Sequence, residues 1–250
     1  MMNCSDYSNN AIEVSRLTVT YNSKPVLENV DLTLPRGRLA AIIGPNGAGK
    51  TTLVKAILGL IPKVEGEITF PEVDGKKPKI GYVPQSESID WDFPVSVLDV
   101  AVMGCFGRLG WVKRPTRDDK SFALQMLKKT GMEQYADRQI SRLSGGQQQR
   151  VFIARALVQR ADIYIMDEPF KGVDADTERS IISLLKELRT AGKTVIAVHH
   201  DLATVKDYFD HVTLINTRVI ANGEVEKVFT DENLDLTYRR SGKAGREQWR

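Results

Sequence analysis

The chain has 250 residues, 42% of them hydrophobic and 27% charged, with a net charge of +3 and two cysteines, Cys4 and Cys105. That is the composition of a globular protein with one large domain, or one domain with a subdomain. The two distant thiols exclude a disulfide framework and a cysteine-based zinc site. No apolar run is long enough to cross a bilayer, and Met1 to Asn10 is polar, without the apolar centre of a signal peptide, so the expectation is a protein that stays in the cytosol.

The charge is uneven. From Arg239 onward five basic residues stand against Glu247, so this end carries +4 and the remainder about −1. A body without a dense basic stripe argues against nucleic acid as a partner. The basic end reads either as a solvated tail or as a contact for an anionic membrane surface.

In chain order, Ile12 to Tyr21 alternates apolar and polar side chains and predicts a strand, with an irregularity near Ser15-Arg16. Val26 to Leu34 predicts a second, ended by the turn Pro35-Arg36-Gly37. Both have the half-exposed pattern of antiparallel strands. Leu39 to Ile43 is an apolar run that reads as a buried strand. It leads into Gly44-Pro45-Asn46-Gly47-Ala48-Gly49-Lys50-Thr51, which fits the phosphate-binding loop G-x-x-x-x-G-K-[ST]. Behind the loop, Leu53, Ala56, Ile57 and Leu60 recur at helical spacing.

A strand before and a helix after are the context this motif requires. The glycines let the backbone wrap a ligand and turn successive N–H groups inward, and the helix N-terminus adds positive potential where phosphate sits. Lys50 is placed to reach the β- and γ-phosphates, and the Thr51 hydroxyl to ligate Mg²⁺, with Thr52 beside it in the nucleotide-binding set.

Gly66 to Phe70 and Lys79 to Val83 predict short strands flanking a charged loop, Glu72 to Pro78. Helices are predicted over Val95 to Met103, Asp118 to Thr130 and Met132 to Asp137, giving a helical insertion from about residue 86 to 142. Gly104 to Pro115 separates the first two. Strand–helix alternation then resumes: a helix over Gln147 to Arg160, a strand over Ile163 to Met166 and a helix over Asp176 to Thr190. The last carries an apolar stripe of Ile181, Leu184, Leu185 and Leu188. A strand follows over Thr194 to Val198, then a short helix capped by Asp201. Val212 to Ile215 and Val219 to Ala221 close the chain as a hairpin-like pair. This alternation implies an α/β sheet.

The strand Ile163 to Met166 ends in Asp167-Glu168, which brings two carboxylates to the sheet edge where ligands bind. Asp167 is suited to hold Mg²⁺ as the acidic partner of Thr51. Glu168 is the candidate general base for the attacking water. The alternative is a strand-end pair that caps the next segment. Leu143-Ser144-Gly145-Gly146-Gln147-Gln148-Gln149-Arg150 opens a helix with Ser144 as N-cap and two glycines exposing N–H groups, a second anion-binding device.

That run resembles the signature sequence of ATP-binding cassette (ABC) ATPases, and the resemblance extends from about Ala11 to Phe229. It implies one ABC ATP-binding domain over residues 11–230, between a polar N-terminal tail, 1–10, and a basic tail, 231–250. Its fold would be an α/β core with an antiparallel β subdomain and a helical subdomain. It implies ATP and Mg²⁺ as ligands, and a homodimer that sandwiches ATP between the phosphate loop of one subunit and Ser144, Gly145, Gly146 and Gln147 of the other. By the same resemblance Tyr21 stacks on adenine, the alternative being a core tyrosine at a strand end. Gln85 senses Mg²⁺ and the γ-phosphate, Asp174 crosses the dimer interface, and His200 contacts the γ-phosphate. His199 reads as a strand-end residue. Val173 stands where many members carry leucine.

The segment Ile89-Asp90-Trp91-Asp92-Phe93-Pro94, with Asp99 to Gly104 and Gly110-Trp111, resembles the ATP-binding subunits of bacterial manganese, zinc and iron importers. Glu168-Pro169-Phe170-Lys171-Gly172-Val173-Asp174 fits the same subfamily. Trp111-Val112-Lys113-Arg114-Pro115 is most similar to manganese-type members. Trp91 and Phe93 read as core anchors of the helical subdomain, as part of a groove for a membrane subunit, or both. The resemblance implies an ATPase on the cytoplasmic face of a bacterial membrane, two polytopic permease subunits, and an extracytoplasmic protein that delivers the metal. The ATPase itself would not touch the metal. A soluble ABC ATPase of the iron–sulfur assembly type is the rival reading.

Overall fold

The computed structural model describes residues 9–21, 24–85, 94–110 and 113–238. The chain divides into two compact units, residues 1–77 with 196–250, and residues 78–195. The N-terminal tail up to residue 8, the aromatic segment Ser86 to Phe93, Trp111-Val112 and the basic end from Arg239 lie outside the described residues.

In the first unit β1 (Asn10–Tyr21), β2 (Lys24–Pro35) and β4 (Glu65–Thr69) form an antiparallel sheet in the order β2–β1–β4. Val14 and Leu17 are three residues apart, yet both are buried, because an extra β1 residue is accommodated between their partners Leu32 and Val30. The break falls at the expected place: Arg16 turns left-handed at φ 49°, and its N–H donates to Asp31 Oδ1 at 2.9 Å. β2 has the matching device, with Asn29 at φ 47° between Leu27 and Val30. Such bulges keep an apolar face on the core when the two-residue period slips.

The same unit contains β3 (Leu39–Ile43), β8 (His211–Asn216), β9 (Arg218–Glu224) and part of β7 (Thr194–Val198), in the order β7–β3–β8–β9. β3 pairs in parallel with β8 from Ala40↔His211 to Ile43↔Leu214, and β8 turns into antiparallel β9 at Thr217. All five residues of β3 are fully buried. That is the run expected of a central parallel strand, with each large side chain contributing about 1.5–3 kcal/mol. α1 (Lys50–Ile57) follows β3 and ends earlier than its apolar spacing suggests. Leu60 lies beyond it, 60% exposed, because Gly59 at φ 68° breaks the helix.

In the second unit β5 (Ile80–Val83) pairs in parallel with β6 (Ile163–Met166). Its helices are α2 (Val97–Val102), α3 (Phe106–Leu109), α4 (Arg117–Lys129), α5 (Gly145–Val158) and α6 (Ala175–Thr190). Ser96 and Thr116 each form a capping box, with Asp99 and Asp119, which fixes where α2 and α4 begin. The stretch Gly104 to Pro115 contains α3. Met132 to Asp137, expected as a helix, forms only a 3₁₀ turn over Glu133–Tyr135, because Gly131 at φ 68° has already ended α4 and too few residues remain for another nucleus. On α6, Ile181, Ile182, Leu184 and Leu185 are buried and Leu188 is half-buried.

The first unit ends with short α7 (Val205–Tyr208), short α8 (Val225–Val228) and α9 (Asp231–Tyr238). α9 occupies the start of what the sequence suggests is a tail. Asn216 Nδ2 donates to its Thr237 carbonyl at 2.9 Å, and Thr237 is fully buried. Among the described residues no helix is long and apolar enough to cross a membrane.

Candidate functional site

The phosphate loop joins β3 to α1. Its shape depends on missing side chains. A Cβ on Gly44 would stand 2.0 Å from the Ile215 carbonyl oxygen, and one on Gly49 would stand 2.6 Å from Leu27 Cδ2 and 2.9 Å from the Val26 oxygen. Gly47 and Gly49 also lie at φ 81° and 94°, where a Cβ is strained. The loop is braced further by Ala48 N–H on the Pro45 carbonyl at 3.1 Å and by Thr217 N–H on the Ala48 carbonyl at 3.0 Å.

Lys50, 6% exposed, folds its ammonium back across the loop, donating to the carbonyls of Gly44 at 2.8 Å and Pro45 at 2.9 Å. A buried cation held over a glycine loop at a helix N-terminus is chemically matched to a polyphosphate. Thr51 and Thr52 are half-buried in the first turn of α1, and Asn46 is exposed at the loop's crest.

His199 and His200 follow β7. The backbone N–H of His199 donates to the Ile42 carbonyl at 3.1 Å, which anchors this strand end beside β3 two residues before Gly44. The His199 ring is 3% exposed, and burial pushes its pKa down to about 4, only partly offset by the charge of Asp201. His200 is exposed. The two adjacent rings therefore differ in placement, one buried and one open to solvent. Tyr21, at the end of β1, is 48% exposed, which disposes of its reading as a core tyrosine.

In the second unit, β5 and β6 run in register with Val83 opposite Met166. Gln85 and Glu168 therefore each stand two residues past a paired position, and Gln85 Nε2 donates to Glu168 Oε2 at 2.8 Å. Asp167 is fully buried, and its backbone N–H continues the pairing onto the Val83 carbonyl at 2.9 Å. Its charge reaches Tyr82, whose pKa is pushed up to about 12, mainly by burial and secondly by Asp167. Glu168 adopts φ 55°, a conformation costly for a side chain with Cβ, and keeps 11% of its side chain exposed. The Lys171 ammonium lies 3.5 Å from Glu168 Oε2. The sequence reading missed Lys171 as a neighbour of the carboxylate. The signal was its i,i+3 spacing within a turn.

The signature run opens α5 with a full capping box: Ser144 Oγ accepts from Gln147 N–H at 3.4 Å, and Gln147 Oε1 accepts from Ser144 N–H at 3.0 Å. Gly145 faces open space, whereas a Cβ on Gly146 would lie 3.3 Å from Val173 Cγ1. Signature and Asp174 loop thus meet through Gly146 and Val173. Asp174 caps α6, accepting from Thr177 N–H at 2.9 Å and Thr177 Oγ at 2.8 Å. These bonds hold its carboxyl below the usual carboxylate range.

The ABC transporter family pattern matches residues 27–171. The chain is 58% identical to the manganese transport system ATP-binding protein MntB of Bacillus subtilis, covering 91% of this chain and 92% of that protein. It is 54% identical to the zinc transport system ATP-binding protein TroB of Treponema pallidum, covering 91% and 86%. Among solved structures it superposes on an inward-facing ABC transporter described as of metal-chelate type, with TM-score 0.81, 29% identity and coverage of 92% and 89%. It also superposes on the ATP-binding cassette MJ0796, a dimer bound to ADP and phosphate in a post-hydrolysis state, with TM-score 0.74, 29% identity and coverage of 86% and 98%. With the family pattern spanning more than half of its length, and relatives this similar along nearly all of it, the chain belongs to the ATP-binding subunits of ABC transporters.

Proposed function

We propose that this chain is the ATP-hydrolysing subunit that energises an importer of a divalent transition metal, manganese first. The observation that carries the reading is the 58% identity to a manganese transport ATP-binding protein along 91% of this chain. It stands beside a phosphate loop in which Gly44 and Gly49 leave no room for side chains. Zinc is the second reading, favoured by the 54% identity to the zinc-system relative.

In this reading Gly44 to Thr52 hold the triphosphate, with Lys50 neutralising its charge and Tyr21 stacking on adenine. Thr51, Asp167 and Gln85 offer hydroxyl, carboxylate and amide oxygens, the hard donors that suit Mg²⁺. When bound, the ion neutralises charge on the phosphates. Glu168 accepts a proton from the attacking water, oriented by the amide of Gln85, while His200 donates to the γ-phosphate. Ser144, Gly145, Gly146 and Gln147 serve the nucleotide of a second copy, and Asp174 crosses to that copy. The dimeric state of the ADP-bound cassette among the similar structures supports this arrangement.

The partners are then two polytopic permease subunits, with an extracytoplasmic protein that delivers the metal, and the working place is the cytoplasmic face of the membrane. The test is growth of cells lacking this protein in medium depleted of metal. Rescue by manganese alone fits the reading. Rescue by zinc alone overturns the manganese assignment and leaves the ATPase standing.

A further inference from the structure

His199 takes no direct part in the reaction outlined above, yet its ring is buried and tied to a specific partner. Its Nε2 lies 2.8 Å from Thr204 Oγ1, and Thr204 Oγ1 lies 3.1 Å from the Asp201 carbonyl oxygen. A carbonyl only accepts, so the Thr204 hydroxyl proton goes to Asp201, and His199 Nε2 carries the proton of the other bond. Burial keeps the ring neutral, which matches this single-donor role. The rings of Phe209 and Tyr208 lie tilted against it at 5.1 and 6.2 Å between centroids. Asp201 is fixed a second time, as its Oδ1 accepts from Ala203 N–H at 2.9 Å.

His200 is thus enclosed between two fixed neighbours. Before it, His199 is tied by its N–H to Ile42 on β3 and by its ring to Thr204. After it, the Asp201 carbonyl is tied to the same hydroxyl. The His200 side chain faces solvent, whereas the His199 ring is buried. We propose that His199, acting through Thr204, is a positioning residue that holds the His200 backbone in register with the phosphate loop. The inference rests on the γ-phosphate role of His200 proposed above. An exposed imidazole contributes to hydrolysis only if its backbone is fixed, since small misplacements of a catalytic group are costly.

The test measures kcat and KM for ATP on the 250-residue chain with Mg²⁺, for Thr204→Val, Thr204→Ser, His199→Phe, His200→Ala and the double variant His200→Ala/Thr204→Val. Thr204→Val keeps the β-branched shape and loses the hydroxyl. It should lower kcat about five- to tenfold with KM unchanged, the scale of one hydrogen bond. His199→Phe should match it, and Thr204→Ser should retain turnover. In the His200→Ala background Thr204→Val should cost nothing more, because there is no imidazole left to place. Equal losses in both backgrounds would mean general destabilisation and would overturn the inference. So would full turnover in Thr204→Val while His200→Ala is impaired, although the role of His200 would then survive. Full turnover in His200→Ala alone would remove that role and the inference together.

Discussion

Gln85 and Glu168 are joined by a 2.8 Å hydrogen bond because the strands before them are parallel neighbours in register, Val83 opposite Met166. The amide donates to the carboxylate of a residue whose backbone is left-handed. Glu168→Gln preserves size, and its amide oxygen still accepts from Gln85. The variant should bind ATP as the wild type does, while hydrolysis falls by about 10²–10⁴-fold for loss of a positioned base. Phosphate release beside nucleotide binding is the measurement, and size-exclusion chromatography with ATP should show the dimer accumulating. Near-normal release would move the base role to another residue.

The Lys50 ammonium bonds the carbonyls of Gly44 and Pro45 within the loop proposed to hold phosphate. Lys50→Met should weaken ATP binding by about 10–100-fold, the value of charge-assisted bonds. Titration with a fluorescent ATP analogue would check this. Unchanged affinity would exclude Lys50 from the phosphate site.

Two glycines with opposite surroundings separate shape from chemistry. Gly49→Ala forces a Cβ to 2.6 Å from Leu27 at φ 94° and should cost about 1–3 kcal/mol, read as a lowered thermal midpoint. Gly145 has nothing within 4 Å of its virtual Cβ, so Gly145→Ala should leave the midpoint in place. A fall in ATPase activity there would report a ligand or a second copy meeting the signature loop.

Ser144→Arg tests whether that second copy exists. The variant should bind nucleotide as a monomer yet lose turnover. Mixed with Lys50→Ala chains it should regain part of its activity, since one composite site then keeps both an intact Lys50 and an intact Ser144. Loss of nucleotide binding by the isolated Ser144→Arg monomer would contradict an action across the interface.

The buried histidines give a pH dependence of stability with a defined sign. His199 has its folded pKa lowered from 6.5 to about 4, so between those values the unfolded chain binds more protons than the folded one. Its stabilising contribution is complete above about pH 6.5 and is lost as pH falls toward 4. His211, also lowered by burial, acts in the same direction. Chemical denaturation across this window should show stability rising with pH, and His199→Phe should flatten the rise.

Much of this was legible in the chain, because the relevant signals are local. Gly44 to Thr51 needed only an apolar strand and a helix beside it. Ser15-Arg16 announced the bulge by breaking an alternation, and Ser144 announced the cap that Gln147 completes. What escaped depends on how the chain turns and pairs. Lys171 meets Glu168 only once the chain turns at positive φ, and Gln85 meets it through a strand pairing 83 residues apart. His199 and His200 are indistinguishable as adjacent letters. Their difference comes from which ring the Phe209 and Tyr208 side covers. Met132 to Asp137 has helical composition, but Gly131 isolates it from the helix that would have propagated it.

Uptake of radioactive manganese by cells lacking this chain, complemented with the wild type or with Glu168→Gln, shows whether hydrolysis at Glu168 drives import. The wild type should restore uptake, and the Glu168→Gln chain, present in equal amount and able to bind ATP, should not. Uptake that persists without the chain, or that the Glu168→Gln variant restores in full, would contradict the proposed function.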